Sequence, residues 1–213
     1  MSDSAGTASR VADALRAQIV SGELKPGTRL SEERVREAHG VSRSTLREAY
    51  QHLVRERLLV HELSRGVFVR QLSRADLADL YEVRRLVECA AVRGISVLTP
   101  AGLRALSAAL SDGLTARERE DWDAVAAASI RFHEALVALA GSERLTAMMS
   151  GVLAEFRLAY AHMGDTRVFH AAYLERNVEI ADALRSGDVA GAATLLETYL
   201  ADARAALLEQ YTA

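Results

Sequence analysis

Sixteen residues, Arg34 to Ala49, restrict the fold of this chain more than any other stretch. Apolar residues at helical spacing stop at His39-Gly40 and resume just after Ser42, so a glycine-containing turn joins two helices. On the second helix Leu46, Ala49, Tyr50 and Leu53 share one face, leaving Arg43, Ser44, Arg47 and Gln51 on the other. Ser42 is placed to cap that helix and Val41 to act as its hydrophobic staple.

The flanks complete a small domain. Val11, Leu15 and Ile19 set one face of a first helix that begins near Ser9 and stops at Ser21-Gly22, before the turn Gly22-Glu23-Leu24-Lys25-Pro26-Gly27. Ser31 caps the second helix, with Glu32 and Glu33 in its first turn, and the third runs to about Arg57. Leu59 to Leu63 and Val67 to Arg70 then read as two strands around the turn Ser64-Arg65-Gly66. Three helices and a hairpin make a winged helix-turn-helix domain over residues 1–72.

From Ser73 onward no strand signal appears, and residues 73–213 divide into six helices near 74–98, 100–118, 121–140, 143–163, 169–186 and 188–211. Pro100 suits a first turn, while Gly141-Ser142 and Gly187-Asp188 stop one helix and cap the next. Only 5% of residues are aromatic and 50% are hydrophobic, which favours a mainly α fold with a real core.

Charge separates the two parts. Residues 1–72 hold 12 Lys+Arg against 9 Asp+Glu, and the remainder carries a net charge of −6. The first part can approach a polyanion that the second would repel. Arg43 and Arg47 sit in the first turns of their helix, against the positive end of the macrodipole, where stability alone would favour acids. Two arginines one turn apart suit bidentate contacts to guanine or a clamp on phosphate.

Other classes are disfavoured. The single cysteine, Cys89, excludes an intramolecular disulfide and a cysteine-based zinc motif, and reads as a small buried hydrophobe. No apolar run reaches the ~18 residues of a membrane span, and Met1 to Ser9 is polar, so a cytoplasmic protein is expected.

The N-terminal part resembles the GntR family of bacterial transcription regulators. The resemblance is carried by Leu15-Arg16 with Ile19, Gly22 to Gly27, Leu30 with Glu32, and Gly40-Val41-Ser42-Arg43 running into Leu46-Arg47-Glu48-Ala49. It implies contact with double-stranded DNA from Arg34, Ser42, Arg43, Ser44, Thr45 and Arg47, with Arg65-Gly66 at the wing tip reaching the minor groove. Thr45 stands where the family often has Pro, and Val35-Arg36 where it usually has Leu-Ala.

Polar residues on helix faces that should be buried mark a second site. Ser129 and His133 lie one turn apart in the stripe Val125, Ser129, Phe132, His133, Leu136, while Asn177 and Tyr199 lie on inner faces of the last two helices. A buried Arg84 requires a carboxylate, from Glu88 one turn on or from a ligand.

This half resembles the all-helical effector domain of the FadR-type GntR regulators, in its short, six-helix, VanR-like form. The residues that carry this resemblance are Asp79 to Arg84 with Glu88, Phe132-His133 with Leu136, and Gly187-Asp188 with Ala192. Many members bind a metal through an Asp and three His at the positions that here read Ser129, His133, Asn177 and Tyr199. One such ligand survives, so no metal cofactor is expected unless His162 or His170 supplies another route. The resemblance then implies an organic acid as effector, held by Arg84, Ser129, His133, Asn177 and Tyr199, with Arg157 nearby.

The expectation is a homodimeric, effector-responsive regulator, a repressor of a palindromic operator, with no membrane partner. Two alternatives stand beside it: a constitutive DNA binder with a vestigial pocket, and a helical enzyme using His133 as base.

Overall fold

Ser31 and Ser42 each start a helix by the same device: extended backbone with a hydroxyl that accepts from the amide three residues on, Arg34 and Thr45 respectively. Between them Gly40 adopts φ +63° and its N–H bonds the carbonyls of Arg36 and Glu37, closing α2, Glu32–His39, before α3, Arg43–Arg55. The computed structural model describes residues 2–160 and 167–211, and nine helices lie among them.

The first helix, α1, spans Ser2–Val20, seven residues earlier than its apolar periodicity predicts. Ala8 explains part of the difference, since it joins Val11, Ala12, Leu15 and Ile19 on the buried face that packs on α3. The guanidinium of Arg16 fastens the far end of α3, bonding both oxygens of Glu56 at 2.7 Å.

Three short antiparallel strands follow the order β1 (Arg29–Leu30), β3 (Gly66–Val69), β2 (Leu59–Glu62). β2 ends one residue earlier than the sequence suggests, β3 has the expected length but starts and ends one residue earlier, and β1 has no counterpart among the expected elements. Two residues directly after a turn carry no alternation, and β1 exists only because β3 offers its free edge, pairing Arg29 with Phe68 and Leu30 with Val67.

Among the described residues of the second half every regular element is a helix: α4 (Arg74–Arg93), α5 (Pro100–Glu118), α6 (Trp122–Ala138), α7 (Glu143–Tyr160), α8 (Arg167–Arg185) and α9 (Val189–Gln210). A capping box between Ser73 and Asp76 starts α4. That helix ends five residues earlier than predicted, because Gly94 closes it and Val97 beyond is exposed. The residues expected to extend α7 to 163 lie outside the described part. Helix α4 packs on α9 and α6, and α5 on α6 and α8, where Gly113 brings the backbone against Ala128 and Leu174. The chain divides into two compact units: the first runs to Leu72, the second begins at Ser73, and the stretch from Arg157 to the described end of α7 groups with the first.

Candidate functional site

The N-terminus of α3 presents its candidate reading residues to solvent. Arg43 and Ser44 are exposed, Arg47 is exposed one turn later, and Arg34 is exposed on α2. Ser42 is less free than its type suggests: its hydroxyl accepts from the Thr45 amide at 3.2 Å and lies 2.8 Å from the Ser44 hydroxyl and 2.9 Å from that of Thr45. The small polar side chains of this turn therefore satisfy one another and fix the helix start, leaving the guanidinium groups as the reaching elements.

Those groups differ in their present partners. Arg43 pairs with Glu32 at 3.5 Å, and Arg65 pairs with Glu62 while lying over the Phe68 ring at 5.3 Å. Arg34 and Arg47 have no carboxylate partner among the described residues. The wing turn is built on left-handed backbone, with φ +63° at Ser64 and +113° at Gly66.

Two clefts lie beside these residues. One, of about 320 Å³, is lined by Glu32, Arg47, Tyr50, Gln51, His61 and Val67, with Val54 at its edge. Within it, burial pushes the Tyr50 phenol up to about 12, with the Glu32 charge adding to the shift. The other, of about 390 Å³, is lined by Arg29, Leu30, Ser31, Glu32, Gly66 and Val67.

In the second unit the structure brings together five of the six residues expected around an effector. Glu88, fully buried, accepts from Arg84 Nε at 2.5 Å on one oxygen and lies 2.7 Å from His133 Nδ1 on the other. Asn177 Nδ2 donates to Ser129 Oγ at 3.4 Å, Tyr199 hydrogen-bonds Ser129, and the Tyr199 and His133 rings lie 5.0 Å apart. The sixth, Arg157, is half-buried in the end of α7 that groups with the first unit.

Glu88 thus answers the requirement set by Arg84. Burial raises the Glu88 carboxyl, but the Arg84 charge and the contact with His133 outweigh it and hold the group at about 2. Burial lowers His133, a shift opposed by Glu88 and reinforced by Arg84, so the imidazole is neutral. With His133 uncharged, Arg84 and the Nδ1–H donated by His133 are what keep Glu88 ionised. Arg84 also lies over the rings of Tyr81 and Phe156, at 5.4 and 4.8 Å.

Three buried polar atoms in this cluster have no hydrogen-bond partner among the described residues: Arg84 Nη2, His133 Nε2 and Asn177 Oδ1. One of them is a donor and two are acceptors.

The sequence reading missed two features here. His170, weighed above only as a metal ligand, is buried beside Phe169, and burial lowers its pKa to about 4. Its side chain belongs to the inward face of α8 with Tyr173, Leu174 and Asn177, at i, i+3, i+4 and i+7, although it stands in the first turn of the helix. Arg176 lies over both Tyr173 and Tyr199, at 5.7 and 5.6 Å. His162 lies outside the described residues. Among the described residues no three His, Cys, Asp or Glu side chains are grouped to hold a metal, and no helix is long and apolar enough to cross a membrane.

Residues 7–69 match the family model described as bacterial regulatory proteins, gntR family, and residues 79–202 match the FCD domain. A crystal structure of a putative GntR transcriptional regulator from Rhodococcus sp. RHA1 superposes with a TM-score of 0.91 at 45% identity, over 96% of this chain and 98% of that one. An uncharacterized HTH-type transcriptional regulator in an unstable DNA locus of Streptomyces ambofaciens is 31% identical, over 87% of this chain and 78% of its own length. The gluconate operon transcriptional repressor of Bacillus subtilis strain 168 is 34% identical, over 62% of this chain and 55% of its own.

Proposed function

This chain belongs to the gntR family of bacterial regulatory proteins, a DNA-binding helix-turn-helix followed by an FCD domain, and from that premise we propose a repressor that binds a palindromic operator as a homodimer and is modulated by a small molecule in its helical half. It is a transcription regulator and not an enzyme, so His133 needs no role as a base. The observation that carries the DNA reading is the capped start of α3, from which Arg43 and Arg47 project with Arg34 beside them. Arg47 carries no ion pair among the described residues, so it meets a guanine edge or a phosphate without first giving up an acid.

Dimerisation supports affinity, because a single reader with so few cations binds weakly and two engaged together raise the effective concentration of the second. The repressor role draws on the Bacillus subtilis relative named for the gluconate operon.

The effector reading rests on Arg84 Nη2, His133 Nε2 and Asn177 Oδ1. An organic acid is a less natural occupant than Arg84 alone suggested, because Glu88 already compensates its charge at 2.5 Å. A ligand carboxylate has to displace Glu88 or lie against it, whereas a hydroxyl-bearing ligand offers an acceptor to Arg84 and donors to the other two atoms.

The same neutralised cluster favours a second reading, in which core side chains fill the old pocket and the protein binds DNA constitutively. Gel-shift titration on DNA flanking the gene, with gluconate and with a neutral polyol added, separates the two. Release of DNA by either compound supports the effector reading; no release, and no thermal shift across a wider metabolite set, supports the constitutive one.

A further inference from the structure

Arg29, at the start of the edge strand β1, has no ion pair and no hydrogen-bonded side-chain partner among the described residues, although Arg43 and Arg65 on either side of its cleft are each matched to an acid. Its guanidinium lies against the wing turn at Gly66. A Cβ placed on Gly66 would come 3.3 Å from Arg29 Nε and 3.6 Å from Nη2, so the absence of a side chain at Gly66 gives the arginine its seat. The cleft in front of it, about 390 Å³, runs from Gly66 on the wing to Ser31 and Glu32 at the start of α2. Glu32 is also the residue that contacts Arg43 at the tip of α3, at 3.5 Å, and it lines the neighbouring cleft with Arg47.

We propose that Arg29 binds a DNA backbone phosphate in this cleft, between the wing and the start of α2, beside the Glu32 that pairs with Arg43 of the reading helix. The proposal rests on the DNA reading given above. A duplex that places base edges against α3 and a minor groove against Arg65 must carry its backbone past the ground between them, where Arg29 is an exposed cation without an acid of its own. Glu32 does not cancel it, because the Glu32 carboxylate is engaged by Arg43. The contact is one of position: it fixes how the wing and α3 sit on the duplex and reads no base.

The test uses the full-length protein and two duplexes, one selected by the wild type from a random-sequence pool and one of the same composition shuffled, with Kd measured over a range of salt. Every phosphate that a protein neutralises adds about 0.9 to the slope of log affinity against log salt, so Arg29→Ala lowers the slope by that amount for each Arg29 engaged. Arg29→Ala weakens both duplexes by the same factor, and Arg29→Lys keeps most of the wild-type slope because it keeps the charge. An Arg29→Ala protein with the wild-type slope, or with weakening confined to the selected duplex, overturns the proposal. If at the same time Arg47→Ala reduces both slope and preference, the DNA reading survives without it; a wild type whose affinity ignores salt overturns both.

Discussion

His133 Nδ1 sits 2.7 Å from Glu88 Oε2, tying α6 to α4 through two side chains that are both buried from solvent. The other oxygen of Glu88 takes Arg84, so one carboxylate balances the guanidinium beside it while orienting a neutral imidazole. The histidine that other family members use on a metal is here held by a carboxylate of its own chain.

Removing Glu88 should therefore cost more than removing the whole group. Glu88→Ala strands a buried guanidinium and is expected to lower stability by about 3–5 kcal/mol, because the desolvation penalty of Arg84 is no longer offset. The double variant Arg84→Met, Glu88→Leu removes both charges together and is expected to fall well short of that loss. Urea denaturation of the wild type and the two variants checks the order, and equal losses for single and double variants would contradict it.

Acid should weaken the fold well before carboxylates titrate. In the unfolded chain a histidine takes its proton near 6.5, whereas buried His170 does so only near 4 and buried His133 is also lowered. Between those values the unfolded state binds more protons, so stability is complete above 6.5 and falls as pH drops toward 4. For His170 the effect at pH 5 is on the order of 2 kcal/mol, from about 1.36 kcal/mol per pKa unit. His170→Leu should flatten the dependence of the urea midpoint on pH between 7 and 5. Glu88 stabilises the fold fully above about 4.5 and adds to the pH dependence only below that, its stabilisation being lost as pH falls toward 2.

How far the fold is legible in the sequence follows from how local each signal is. Ser31, Gly40 and Ser42 act on the backbone within three residues of themselves, so α2, the turn and α3 can be read from the residues alone. β1 cannot, since its two residues are a strand only by virtue of β3. Arg84 and Glu88, one turn apart on α4, are legible as a pair from their spacing. The contact between Glu88 and His133 spans 45 positions and depends on how α4 meets α6, which no periodicity encodes. His170 shares a helical spacing with Tyr173, Leu174 and Asn177, but an imidazole in the first turn of a helix carries no local sign of whether it is buried.

Ser42 joins two functions that a single substitution can separate. Ser42→Ala removes the acceptor for the Thr45 amide and should cost roughly 0.5–2 kcal/mol of stability, with a parallel loss of DNA affinity as the start of α3 frays. Ser42→Asp keeps an acceptor at the cap and an anion favourable to the helix dipole, so stability should hold. DNA binding should still fall, because that anion stands beside Arg43 and faces phosphate. If Ser42→Asp binds DNA as the wild type does, α3 does not approach the duplex by this end.

The donor set around His133 also makes a prediction about metal. Its Nδ1 is held by Glu88 and its Nε2 has no partner among the described residues, so the imidazole is oriented as a ligating histidine would be, yet Ser129, Asn177 and Tyr199 are poor partners for zinc. Neither zinc nor a chelator should shift the thermal midpoint of the wild type. The triple variant Ser129→Asp, Asn177→His, Tyr199→His adds one carboxylate and two imidazoles at the positions the family uses, and it should gain a midpoint that rises with zinc and falls back with chelator. Because a ligand that binds only the folded state adds about 2.7 kcal/mol at roughly one hundred times its Kd, the rise is readily measured. A wild type stabilised by zinc would show that other residues complete the site; a triple variant that folds but ignores zinc would show that the helices carrying these positions have closed beyond metal-binding distance.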